Sequence, residues 1–149
     1  FNETLFCRLS GTSEGVTTAV QKMGGDVVEH GEMFWRNINE QQHAFFQTEK
    51  PLWRISLPAD TPSLPTLHNC LIDWCGALRW YTGDLPVDDV RAMAERYSGH
   101  ATLFNRGSNQ STKDVFHPLS STAMTLQRRI KQSFDPNGLI NPNRMYQGI

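Results

Sequence analysis

Stretches in which apolar residues recur at every second position predict the strands of the fold. Between Thr4 and Leu9, the side chains of Leu5, Cys7 and Leu9 fall on one face, and Gly11 ends the stretch. Two short apolar stretches on either side of Cys75 and Gly76 predict a hairpin. The predicted strands are residues 4–9, 27–28, 52–57, 71–74, 77–81 and 100–104.

Apolar residues at helical spacing predict four helices. The first begins at Ser13, a suitable N-cap, and ends at Gly24 and Gly25. The third begins with Pro86 and ends at Gly99. In the last helix, apolar residues recur every fourth position. The second helix is residues 34–46, the third carries the stripe Val90, Met93, Ala94 and Tyr97, and the last, residues 122–134, carries Leu126, Ile130 and Phe134.

The order of the predicted elements is strand, helix, strand, helix, strand, hairpin, helix, strand, helix and tail. Two approximate β-α-β groups with a hairpin between them favour an antiparallel sheet over a doubly wound parallel sheet. The sequence therefore predicts an α+β, ferredoxin-like fold with its helices packed mainly on one face of the sheet.

The composition limits the classes of protein to which the chain can belong. The chain has 149 residues, of which 38% are hydrophobic and 19% charged, which is typical of one globular domain. A net charge of -1 argues against nucleic acid as a partner, and no apolar run reaches the length of a membrane span. Cys7, Cys70 and Cys75 have no paired spacing, which favours reduced thiols in the cytoplasm. Because the chain starts at Phe1 without Met, we expect a fragment.

Two arginines on predicted strands are candidates for ligand binding. Alternation places Arg54 on the strand face opposite Trp53, and Arg79 on the face opposite Trp80. Guanidinium groups bind carboxylates through two parallel hydrogen bonds, and aromatic rings stack on planar ligands. The pattern fits either an anionic, planar ligand or a sheet face that is simply in contact with solvent.

The tail that follows the last helix is rich in residues that stop helices. Asp135-Pro136 disfavours further helix, Gly138 is suited to a positive φ, and Asn141-Pro142 makes a second break. Such a tail either only fixes the last helix to the sheet or contributes to a functional site.

Five segments in order along the chain resemble a known family. The tail is similar to the pattern F-D-P-x-G-[IVL]-[FILM]-N-P-G-[RK] of FAD-linked oxidases of the vanillyl-alcohol oxidase type. With the other segments, it resembles the C-terminal, or cap, domain of the FAD-binding subunits of bacterial glycolate oxidases. The segments are LWRISLP at 52–58, LIDWCGALRW at 71–80, GHATLF at 99–104, FHPLS at 116–120 and FDPNGLINPNRMY at 134–146.

The resemblance implies that residues 1–149 form a cap domain over the isoalloxazine ring of FAD, a cofactor held mainly by an N-terminal domain absent from this chain. It implies oxidation of glycolate to glyoxylate by the full-length protein, with electrons passing to the respiratory chain. The implied partners are a second flavin-containing subunit and an iron-sulfur subunit, in a cytoplasmic complex peripheral to the inner membrane. The isolated domain is expected to be inactive.

The resemblance also suggests roles for individual residues. Arg54 and Arg79 are predicted to bind the substrate carboxylate, and His100 to act as an acid, a base or a hydrogen-bonding group. Asn141 and Arg144 are predicted to lie near the flavin. Asn143 stands where the family pattern has Gly, and Asn tolerates the left-handed φ that such a turn requires.

One departure from related enzymes bears on the reaction. Related 2-hydroxyacid dehydrogenases carry an H-x6-H pair that supports a metal, and no two histidines of this chain have that spacing, so no metal site is predicted. The hypothesis that follows is that a sibling subunit oxidises glycolate while this subunit's flavin serves electron transfer. The alternative function is therefore a non-catalytic, ferredoxin-like assembly or electron-transfer module of the same complex.

Overall fold

The computed structural model describes residues 4–108 and 115–149, which divide into two compact units at the boundary between Glu40 and Gln41. The described residues form four α-helices and one four-stranded antiparallel sheet, so the predicted α+β class is confirmed. Among these residues, no helix combines the length and the apolar character needed to span a membrane.

The first unit contains helices α1 (Ser13–Met23) and α2 (Gly31–Asn39). The predicted N-cap is displaced by one residue, because the Thr12 hydroxyl accepts a hydrogen bond from the Gly15 amide at 3.2 Å. The two strands predicted in this unit, residues 4–9 and 27–28, are wrong. Their backbone forms no ladder with another strand, and alternation alone does not make a strand without a hydrogen-bonded neighbour.

The helix predicted over residues 34–46 is shorter and begins earlier than expected. Helix α2 ends at Asn39, and a separate 3-10 turn follows at Ala44–Phe46. Between them, Gln41 has a φ of 57°, a left-handed conformation that a right-handed helix cannot contain. Apolar side chains keep a helical spacing on both sides of Gln41, so the sequence pattern gave no sign that the helix ends there.

The second unit is built on the sheet, whose strand order is β2-β3-β1-β4. Helix α3 connects β3 to β4, whereas residues 57–69, which connect β1 to β2, contain no helix. The ferredoxin-like detail therefore stays a prediction. The elements of this unit are β1 (Leu52–Ser56), β2 (Cys70–Asp73), β3 (Leu78–Thr82), α3 (Val87–Arg96), β4 (His100–Asn105) and α4 (Ser121–Phe134).

One face of the sheet forms the hydrophobic core together with α3. Trp53 and Ile55 of β1 lie on this face and are almost completely buried, as are Val90 and Ala94 of α3. Burial of a side chain such as Ile55 or Val90 stabilises the fold by about 1.5–3 kcal/mol. The predicted division of β1 into a Trp53 side and an Arg54 side is confirmed, since the Trp53 side packs against the helix.

No side chain fits at Gly99, the residue just before β4. A Cβ at Gly99 would lie 2.2 Å from the carbonyl oxygen of Ser56, on the neighbouring strand β1. The last turn of α3 therefore passes directly into the sheet, and the Gly99 amide donates to the Ala94 carbonyl at 2.8 Å. This close approach fixes the register of β4, in which Ser56 stands opposite His100.

Candidate functional site

The face of the sheet opposite the core carries the predicted acid-base residue and one of the two predicted arginines. In the ladder, Arg54 of β1 stands between Trp80 of β3 and Thr102 of β4, and Ser56 stands beside His100. Side chains paired in this way across antiparallel strands lie on the same face. We call this surface, comprising Arg54, Ser56, Trp80, His100 and Thr102, the Arg54 face.

One half of the Arg54 face is aromatic. The Trp80 ring meets the Phe46 ring edge-on with 5.5 Å between centroids, and it meets the Phe104 ring at 5.1 Å. Phe46 and Trp80 are buried, while Phe104 is half exposed. Edge-to-face contacts of this kind stabilise aromatic clusters beyond simple burial. The cluster therefore forms a rigid apolar wall beside the polar half of the face.

The polar half centres on the Arg54 guanidinium, which is partly buried. Its Cζ lies 5.2 Å from the centre of the Trp74 ring, and its Nη1 lies 3.5 Å from the Ser56 hydroxyl. No carboxylate pairs with it anywhere in residues 4–108 and 115–149. A guanidinium carries five N–H donors, so this one keeps most of its capacity to bind an anion.

Arg79 lies on the other face of the sheet, in the core. Its side chain is 2% exposed and opposite Ile55 in the ladder. It donates hydrogen bonds to the backbone carbonyls of Pro62, at 2.8 Å, and Thr61. The structure therefore separates Arg54 from Arg79, so the two cannot bind one carboxylate together. In the structure, Arg79 fixes the loop that precedes β2.

His100 is exposed at the edge of the Arg54 face, beside a second histidine. The ring of His117 lies 6.5 Å from that of His100, and its Nδ1 accepts a hydrogen bond from the Ala101 amide at 3.3 Å. Its Nε2 lies 3.3 Å from a carboxylate oxygen of Glu95. Burial lowers the pKa of His117, although Glu95 acts in the opposite direction. An Nδ1 that accepts from an amide indicates the neutral ring, with its proton on Nε2.

The tail begins with a carboxylate that closes α4. Asp135 accepts hydrogen bonds from the amides of Leu139, at 3.0 Å, and Ile140, at 2.8 Å, and pairs with Lys131 at 2.7 Å. The Lys131 ammonium and these two amides lower the pKa of Asp135 to about 2. The predicted helix stop at Phe134 is confirmed, and the Asp135 carboxylate holds the turn that follows it.

The predicted backbone conformations of the tail are also confirmed. Gly138 has a φ of 63°, and Asn143, in the place of the family's Gly, has a φ of 57°. Asn141 is left-handed as well, with a φ of 46°. The Asn143 side chain accepts a hydrogen bond from the Gly148 amide at 2.7 Å, which stabilises a turn that glycine would form without this bond.

Tyr146 connects the tail to the segment of Phe116 and His117, which lies beside β4. Its hydroxyl donates to the His117 carbonyl at 3.2 Å, and its ring lies 5.8 Å from that of Phe116. Asn141 and Arg144 are exposed, and no side-chain contact joins either of them to the Arg54 face within the described ranges. Their predicted role at the flavin stays a prediction.

The thiols and the remaining titratable groups indicate no second chemical centre. Burial raises the pKa of Cys70 to about 11, so that thiol is a structural apolar group. No cluster of three or more metal-binding side chains occurs in the part of the chain that the structure describes.

Some relations within the site were not predicted from the sequence. Ser56 follows Arg54 by two positions, so alternation places both on one face, but the position of Thr102 beside Arg54 depends on strand register. The contact of Trp74 with the Arg54 guanidinium depends on the turn between β2 and β3. His117 and Tyr146 belong to segments that carry the family resemblance, but their mutual hydrogen bond spans 29 positions. Only the family resemblance could have pointed to His117 and Tyr146, because their local sequence pattern gives no sign of a functional role.

The comparisons with known proteins agree with the resemblance found in the sequence. The chain is 38% identical over 146 residues to the glycolate oxidase subunit GlcE of Escherichia coli (strain K12). The aligned region covers 98% of this chain and 40% of the length of GlcE. No family model and no solved structure matches the chain.

An alignment of this extent and identity does not arise by composition alone, and it covers both the Arg54 face and the tail. The predicted resemblance is therefore confirmed. Over nearly its whole length, the chain is a relative of part of a glycolate oxidase subunit.

Proposed function

We propose that the chain is the cap domain of a flavin-dependent 2-hydroxyacid oxidoreductase subunit, with glycolate as substrate and glyoxylate as product. The observation that carries the proposal is the Arg54 guanidinium, which lies beside an aromatic wall and has no carboxylate partner among the described residues. An unpaired, partly buried cation of this kind is suited to the carboxylate of a small acid.

The residues of the Arg54 face fit a bound FAD on its substrate side. Trp80 and Phe104 offer an apolar wall to a planar ring beside the Arg54 guanidinium. When bound, FAD would supply the two-electron oxidant. The remaining part of the cofactor would be held by sequence beyond the 40% of GlcE that this chain matches.

In this reaction, the chain would bind the substrate carboxylate and accept the proton of the substrate hydroxyl. Arg54 would hold the carboxylate by two parallel N–H donors and thereby orient the hydroxyl-bearing carbon. His100 stands two positions from Thr102, the cross-strand neighbour of Arg54, on the same face. It would accept the substrate's hydroxyl proton as the carbonyl of the product forms.

The partners and location follow from the same proposal. GlcE is by name a subunit of glycolate oxidase. We expect this chain to act in a complex with a second flavin-containing subunit and an iron-sulfur subunit, on the cytoplasmic side of the inner membrane. Asn141 and Arg144 would reach the flavin edge from the tail.

The test is Arg54→Ala in the full-length subunit, purified in its complex. Loss of a charge-assisted pair should raise the KM for glycolate by about 10-fold or more. The flavin content, read from the absorption spectrum, should stay unchanged. Arg129→Ala, which removes an exposed arginine of α4, is the control and should leave KM as it was. An unaltered KM in Arg54→Ala would show that this face does not bind the substrate.

The second candidate is a non-catalytic assembly or electron-transfer module. The apolar stripe of Leu126, Ile130 and Phe134 on α4 favours it, because these side chains are 57%, 45% and 85% exposed. Under this alternative, inactivation of the sibling subunit's flavin site should abolish turnover. Full turnover in such a complex would exclude the alternative and leave oxidation to the present subunit.

A further inference from the structure

The turn between β2 and β3 has an unfavourable backbone conformation. Trp74 and Cys75 have φ angles of 50° and 53°, which are left-handed and unusual for residues other than Gly, Asn or Asp. Two consecutive residues of this kind persist only where their surroundings hold them, and such strain is concentrated at functional sites.

Contacts on both sides hold this turn. The Asp73 carboxylate accepts a hydrogen bond from the Trp74 amide at 2.7 Å. Gly76 lies so close to the preceding loop that a Cβ there would be 2.5 Å from the Ala59 carbonyl oxygen. Together these contacts fix the direction in which the Trp74 side chain leaves the backbone.

That direction brings the Trp74 ring to Arg54 and not into the core. The ring is 63% exposed, although a tryptophan of this size is normally buried to a large extent. The guanidinium carbon lies 5.2 Å from the ring centroid, within the reach of a cation–π contact. Nη1 of the same guanidinium lies 3.5 Å from the Ser56 hydroxyl.

We propose that Trp74 is a positioning residue for substrate binding: the strained turn holds its ring against Arg54, so that the remaining N–H donors of the guanidinium face a small carboxylate. The inference rests on the proposed function, since it assigns the carboxylate of a 2-hydroxy acid to Arg54. Trp74 itself makes no bond to the substrate. A guanidinium that is oriented before binding loses less rotamer freedom when the carboxylate arrives.

The experiment uses the full-length subunit in its complex and two variants at this position. Trp74→Asn removes the ring but tolerates the left-handed φ, so the turn can still form. Trp74→Phe keeps a smaller ring. The measurements are kcat and KM for glycolate, and the Kd of oxalate, a carboxylate ligand without an alcohol to oxidise, by isothermal titration calorimetry.

We expect Trp74→Asn to raise both KM and Kd by roughly 2- to 5-fold with kcat nearly unchanged, which is the size of one exposed cation–π contact. Trp74→Phe should restore part of the affinity. The double variant Trp74→Asn with Arg54→Ala should bind no more weakly than Arg54→Ala alone, because the ring acts only through the guanidinium. Arg129→Ala should change none of these values.

The experiment distinguishes a failure of the Trp74 inference from a failure of the proposed function. If Arg54→Ala weakens oxalate binding while Trp74→Asn does not, Trp74 has no positioning role and the proposed function stands. Additive losses in the double variant would also overturn the inference, because they would indicate a separate effect of the ring. If Arg54→Ala itself leaves Kd and KM unchanged, both proposals are wrong.

Discussion

Helices α3 and α4 have the same kind of amphipathic pattern but opposite surroundings. On α3, Val90 and Ala94 are completely buried against the sheet. On α4, no residue is buried, and the apolar stripe of Leu126, Ile130 and Phe134 is in contact with solvent. The spacing of apolar residues thus predicts which side of a helix is apolar, but not whether another element covers that side.

The two helices also differ in how their ends are stabilised. Helix α4 has a hydroxyl cap from Ser120, at 3.2 Å from the Ala123 amide, and a carboxylate, Asp135, at its C-terminal end. Helix α3 begins at Val87, and Pro86 at its N-cap provides no side-chain cap. Capping and local hydrogen bonds therefore define α4, whereas tertiary packing defines α3.

The largest expected effect tests the buried side of this comparison. Val90→Asp places a charge in the core next to Ile55 and Trp53, with no partner to compensate it. We expect the free energy of unfolding to fall by at least about 3 kcal/mol. Urea denaturation followed by circular dichroism measures it, and a loss of less than about 1 kcal/mol would mean that α3 is not packed as described.

The matched change on α4 is Ile130→Asp. Since Ile130 is 45% exposed, the cost should stay below about 1 kcal/mol and reflect mainly helix propensity. The same denaturation experiment applies. Equal costs for Val90→Asp and Ile130→Asp would remove the difference between the two helices.

An intermediate and pH-dependent effect is expected at the end of α4. Because the folded protein holds the pKa of Asp135 at about 2, below its ordinary 3.8, the carboxylate stabilises the fold above about pH 3.8. This stabilisation is lost as the pH falls towards 2. The melting temperature of Asp135→Asn should therefore lie below that of the unaltered chain at pH 6, and the gap should close towards pH 2. A gap independent of pH would contradict the assigned charge.

The smallest effect concerns the connection between the tail and the sheet. Tyr146→Phe removes the hydrogen bond to the His117 carbonyl and keeps the ring contact with Phe116. A loss of about 0.5–1.5 kcal/mol is expected, which is typical of one neutral hydrogen bond. Hydrogen exchange of the amides in the tail should increase in the same variant. Unchanged exchange would show that the tail is held by other contacts.

The sequence predicted the second unit well because its alternating apolar stretches also have neighbouring strands with which to pair. All four strand predictions there differ from the structure by one residue at each end or less, and the stop of α4 at Phe134 agrees. In the first unit, residues 4–9 show the same alternation and form no strand. Whether such a stretch forms a strand depends on pairing with a distant segment, which a local sequence pattern does not predict.

The candidate site was predictable to a similar degree. Alternation correctly placed Arg54 opposite Trp53, but it did not show that Arg79 falls on the core side and binds loop carbonyls. It also did not show that the Trp74 ring lies against Arg54, because that position depends on two left-handed residues in a row. Strand register and backbone strain are tertiary properties, so they become visible only in the folded chain.

The position of β1 in the sheet has a consequence for the order of events during synthesis. Leu52 pairs with Thr82 on one side and with Asn105 on the other, so both neighbours of this central strand are made after it. On the ribosome, both edges of β1 stay open until β3 has emerged, and the edge that pairs with β4 stays open until residue 105 has been made. Sequence-distant pairing of this kind slows folding, and it makes the interval between residues 56 and 105 the period when the chain is most exposed to chaperones and to aggregation.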